Sequence, residues 1–141
     1  MPGSHSATEI RDDLAKRVDA IEAAYEFMLA YAAQGALSDS AVSSGPQLRD
    51  LLQRFDAALD GLADTFRRLV VAEGLEIDTY AGFLDVLGRD AVSSAGALRM
   101  VRAQKAISSQ MIDNLNASIH VRALLTDVFV IDELLRGAVG K

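Results

Sequence analysis

The chain has 141 residues, half of them hydrophobic and about a quarter charged, which fits one globular domain over residues 1–141 with a real core. Its formal net charge is −6 and its sequence pI about 4.8, so phosphate backbones and anionic lipid repel it, and neither nucleic acid nor a membrane is expected as partner. The absence of cysteine excludes disulfides, thiolate metal sites and thiol nucleophiles.

The opening Met1-Pro2-Gly3-Ser4-His5 lacks the basic-then-apolar pattern of a signal peptide and resembles a cloning remnant, so residues 1–5 are expected to be a tail. No apolar run approaches the ~20 residues needed to span a bilayer, and the expected compartment is the cytoplasm.

Ser6-Ala7-Thr8-Glu9 reads as a capping box, with the Ser6 hydroxyl accepting from the Glu9 amide. Leu14, Val18, Ile21, Tyr25, Met28 and Ala32 then alternate four and three apart, which predicts one helix over Ala7–Ala33 ending at Gly35. A Ser, Ala and Gly loop follows to Gly45, and Ser44 with Pro46 signals a second helix start. Leu48, Leu52, Phe55, Leu59, Leu62, Phe66 and Leu69 form an unbroken seven-residue repeat, predicting one long helix to Gly74. Gly61 lies inside it at a cost of ~1 kcal/mol, where it could admit a neighbouring helix.

Leu75 to Gly88 reads as a connector holding a short helix, with Asp78 as N-cap, a buried face of Tyr80, Phe83, Leu84 and Leu87, and Gly88 as its stop. From Ala91 the helical pattern runs to the end through Leu98, Val101, Ile107, Met111, Leu115 and Ile119, then Leu125, Val128, Ile131 and Leu135. One continuous helix of that length would extend about 65 Å, so a break is expected between Asn116 and Thr126. Val128-Phe129-Val130-Ile131 has strand-forming residue types but no second strand to pair with. Ala41-Val42-Ser43-Ser44 echoes Ala91-Val92-Ser93-Ser94 fifty residues on, which reads as two helix starts of like chemistry or a duplicated hairpin. The fold expected is all-α: an antiparallel bundle of about four helices, two long, one short connector and one long, broken C-terminal helix.

Chemistry is sparse. The only histidines are His5 and His120, neither preceded by Glu at three residues, so neither a metal site nor a cofactor is expected. Asp56, Asp60 and Asp64 form a carboxylate ladder that reads as a solvated face with an Asp64–Arg68 pair; Asp12, Asp19, Glu22 and Glu26 read alike. Arg99, Arg102 and Lys105 make a basic row able to hold an anion, though pairing with the acidic rows of the first two helices suits the net charge better. No phosphate loop and no Gly-x-Ser-x-Gly elbow accompanies them. Ser108 to Asn116 is helical by spacing yet rich in amides and hydroxyls, either an exposed face or a polar patch inside the bundle.

Two segments carry apolar surface beyond one buried stripe: Phe27 with Tyr31, and the C-terminal helix with Leu124, Val128, Phe129, Ile131 and Leu135. These are the interface candidates. The expected function is a non-catalytic protein–protein interaction module, an oligomeric adaptor, accessory subunit or chaperone-like binder. It would associate as a homodimer or with another protein. A second reading is a bundle binding a small molecule through Gln104, Ser108, Met111, Asn114 and His120. A third is an enzyme or phosphotransfer module using His120.

Overall fold

A computed structural model describes residues 6–139; the tail expected over residues 1–5 lies outside them. The order is α1 (Ala7–Ala33), a single 3-10 turn (Asp39–Ala41), α2 (Gly45–Leu59), α3 (Leu62–Ala72), α4 (Ile77–Arg102), α5 (Ser109–Ala117) and α6 (Ile119–Val139). The all-α expectation holds, with no strand among the described residues, but the helices number six rather than about four. Among the described residues no helix is long and apolar enough to cross a membrane.

α1 begins and ends where its spacing predicts. The Ser6 hydroxyl accepts from the Glu9 amide at 3.1 Å, satisfying one orphan donor of the first turn. Its buried stripe starts as expected with Leu14, Val18 and Ile21, then passes through Ala24, Met28 and Tyr31. A helix of 3.6 residues per turn drifts against a strict seven-residue repeat, so Tyr31 is fully buried and Tyr25 only half.

The second long helix is in fact two. Every residue of its repeat, from Leu48 to Leu69, is buried as expected. The chain nevertheless breaks at Asp60–Gly61, where Gly61 takes a left-handed φ of 78° that a side chain would disfavour. Arg17 of α1 supports the break: its guanidinium donates to the carbonyls of Ala58 and Asp60, which α2 leaves without helical partners.

The expected connector helix and its stop at Gly88 are also overturned. α4 runs unbroken from Ile77 through Gly88, with Glu76 at the N-cap position and Asp78 in its first turn rather than at the cap. Leu84, Leu87, Ala91, Ala95 and Leu98 keep helical spacing across the glycine, and burying them outweighs its propensity cost. A Cβ at Gly88 would lie 3.6 Å from Ala63 Cβ, so the glycine marks where α3 and α4 approach closely. The echo is therefore neither two helix starts nor a duplication: Ala41–Ser44 lies in the turn before α2, Ala91–Ser94 inside α4.

The C-terminal pattern breaks twice. One break, at Ser118, falls within the expected window; the other, over 103–108, was not signalled by periodicity. Ile107 is buried there as loop, while Ile119, expected on the inward face, is exposed.

One continuous apolar core joins all six helices. α1 packs against α2, α3 and α5, and α4 packs against α3, α2 and α6. α6 leans mainly on α4, so it is an edge helix rather than a central one. Gly61→Ala should lower stability by about 1 kcal/mol through its left-handed backbone. Gly45→Ala should cost more, because its Cβ would stand 1.9 Å from the Asp39 carbonyl oxygen. Urea unfolding midpoints check the order.

Candidate functional site

The two loops at one end of the molecule are joined by polar contacts. The Arg49 guanidinium on α2 donates to both Asp39 carboxylate oxygens, at 2.6 and 3.4 Å. Its remaining N–H groups donate to the carbonyls of Arg102, Gln104 and Lys105, closing the open end of α4. Asp39 also accepts from the Ile107 amide at 2.8 Å. The Tyr31 hydroxyl donates to the Ile107 carbonyl at 2.6 Å. Ser109 donates its hydroxyl to the Tyr31 carbonyl and accepts from the Ala36 amide. The Arg49 hydrogen bond holds the Asp39 carboxyl below its ordinary value against the opposing effect of burial, and the Ile107 amide adds to the lowering. Burial, with the Asp39 charge next, raises the Tyr31 phenol.

These contacts relocate several sequence candidates. Tyr31, offered with Phe27 as a docking patch, is a structural hydroxyl with no exposed surface, and Phe27 is half-buried against the core. Arg99 and Arg102 both bind Asp56 of α2, which is buried rather than on a solvated face. The pairing expected between the basic row and the acidic ladder is therefore present, and it occupies the two arginines of the anion candidate. Lys105 is exposed, and its carbonyl serves Arg49. Asp64 pairs with Arg68 as its spacing predicts.

The polar segment divides between surface and interior. Ser108 caps α5, Gln110 donates to Asn114 on the exposed side, and Ser109 and Asn116 point inward. Of the ligand candidates, Gln104, Asn114 and His120 are exposed, while Ser108 and Met111 are half-buried. They do not gather around a common cavity. A cleft of about 280 Å³ with an apolar floor lies elsewhere, between α1, α3 and α6 over Leu14, Leu69 and Leu135. Its rim charges are already paired, Arg11 with Glu73 and Arg136 with Asp132. His120 contributes its backbone carbonyl, which accepts from the Ser94 hydroxyl at 3.0 Å.

Among the described residues α6 carries more exposed large hydrophobic side chains than any other helix. Val121, Leu124, Val128, Ile131 and Leu135 recur three and four apart and are buried, with Leu125 beside them. Four interface candidates, Leu124, Val128, Ile131 and Leu135, are thus core residues. On the opposite side Ile119, Phe129, Val130 and Leu134 remain 75, 48, 43 and 57 % exposed. Of the named candidates only Phe129 lies on this face. Centring a helical wheel on the 121–124–128–131–135 spacing would have found Val130 and Leu134.

No family model, curated protein or solved structure matches this chain. What stands is a class defined by its own geometry: an all-α protein of six described helices, closed at one end by buried polar contacts and apolar on its edge helix.

Because the Asp39 carboxyl lies below its ordinary value in the folded protein, its contribution is present above about pH 4 and is lost as the pH falls through the folded value. Asp39→Asn should cost about 2 kcal/mol at pH 7. Its gap from the wild type should close as the pH drops below ~4 in denaturation curves.

Proposed function

We propose that this chain is a non-catalytic protein-interaction module whose docking element is the outward face of α6, and that a second copy of the chain is its partner. The observation that carries this reading is the exposed row of Ile119, Phe129, Val130 and Leu134 on a helix packed from one side. Monomers seldom leave such a face in water.

Charge favours a second copy. Arg122 and Glu133 are exposed, and neither ion-pairs among the described residues. Eleven residues apart, they lie about 16 Å from one another along the same line of the helix. Two α6 helices laid antiparallel about a two-fold axis between Thr126 and Phe129 bring each Arg122 against the other copy's Glu133. The same axis sets the two Phe129 rings at the centre of the contact. Such exposed pairs contribute little energy but select the register.

The energetics fit a weak dimer. Covering each of the four side chains yields about 1 kcal/mol, and two copies together on the order of 8 kcal/mol. Association costs roughly 4–15 kcal/mol in lost freedom. The −6 charge on each copy adds repulsion that salt screens. At the low end of that cost about 4 kcal/mol remains, so the expected dissociation constant is on the order of 1 mM.

Sedimentation equilibrium checks it. The wild type should self-associate reversibly, more strongly with added salt, and Phe129→Asp should be monomeric. Arg122→Glu and Glu133→Arg should each weaken the dimer, and the double exchange should restore it. A wild type that stays monomeric at millimolar concentration overturns the reading.

A further inference from the structure

Asp127 of α6 is an acidic side chain more than nine-tenths buried. One of its oxygens, Oδ2, has no hydrogen-bond partner. Across the helix interface stands Asp90 of α4, half-buried and within side-chain hydrogen-bonding reach. Ser94, one turn along α4, holds the His120 carbonyl at the start of α6, so the two helices run antiparallel with this register.

Two carboxylates cannot both stay ionised side by side in a buried setting, because each desolvated charge raises the energy of the other. A single proton between them supplies a donor and replaces repulsion with a short charge-assisted bond. Among the described residues no cation takes that role. Arg89 and Arg122, the nearest cations in sequence on α4 and α6, are exposed and pair with neither carboxylate, and Asp113 of α5 is exposed as well. No group of three or more His, Asp or Glu among the described residues could hold a metal ion.

We propose that Asp90 and Asp127 share one proton across the α4–α6 interface, and that losing this proton loosens α6, making this contact a pH-sensitive clamp on the edge helix. The clamp itself is independent of what α6 docks; only its effect on association rests on the function proposed above. Burial first, then the hydrogen bond and charge of Asp90, push the Asp127 carboxyl up to about 7. The folded state then holds a proton that the unfolded chain has already released. The clamp's contribution is complete below the unfolded carboxyl value near pH 4, falls as the pH rises, and is gone above about 7.

The test compares the full-length wild type with Asp127→Asn in urea, from pH 4 to 9, at low micromolar concentration, where association does not contribute. The amide of the variant donates to Asp90 as the protonated acid does. At pH 8 the variant should be the more stable, with an unfolding constant smaller on the order of a hundredfold. The difference should shrink steadily toward pH 4. A carbon-13 titration of the wild-type Asp127 carboxyl provides a second readout that needs no variant, with a midpoint expected near neutrality. Amide exchange along α6, corrected for intrinsic rates, should speed up above pH 7 relative to α1. A difference that is flat with pH, or a carboxyl midpoint in the ordinary range near 4, overturns the clamp. A pH-sensitive clamp in a chain that is strictly monomeric would leave it standing while removing the dimer.

Discussion

Arg49 reads two loops at once. Its planar fork binds the Asp39 carboxylate before α2, and it also donates to the carbonyl of Arg102 at the end of α4 and to those of Gln104 and Lys105 beyond it. A lysine, with one point charge, could not serve both sides. Asp39 in turn holds the Ile107 amide, so the course of the 103–108 loop depends on this one ion pair. Gly45 is the steric condition for it, because any side chain there would displace the Asp39 backbone. Tyr31 and Ser109 complete the closure with hydrogen bonds in the interior, where low polarity makes an unmade bond expensive.

The position of α6 follows from that closure. The loop directs α5 across α1, and α5 delivers the chain to Ser118, where α6 begins. α6 then has one main neighbour, α4, and buries one stripe against it. A helix with apolar residues on both sides and neighbours on only one must leave the other side wet. The fold therefore creates the exposed Phe129 face through its topology. The same one-sided attachment makes the Asp90–Asp127 contact consequential: few other polar contacts hold α6 in place.

Much of the local structure was legible in residue spacing. The capping box at Ser6, the extent of α1, the buried repeat from Leu48 to Leu69, the Asp64–Arg68 pair and a break near Ser118 are all visible in the string. Helix continuity was less so. A glycine can end a helix, as Gly61 does, or lie within one, as Gly88 does, and residue type alone does not separate the two. What decides is whether a distant side chain, Arg17, is present to satisfy the carbonyls freed by a break.

The candidate sites divide along the same line. The sequence by itself determined that this protein is all-α, that its core is built from helical stripes and that apolar surface is left over on the last helix. Those properties depend on neighbours three and four residues away, which periodicity records. Only the tertiary structure decided that Tyr31 is buried, that Arg99 and Arg102 are occupied by Asp56, and that Asp127 meets Asp90. Each of those outcomes needs a partner more than thirty residues away, and a polar side chain carries no local sign of which distant group will face it.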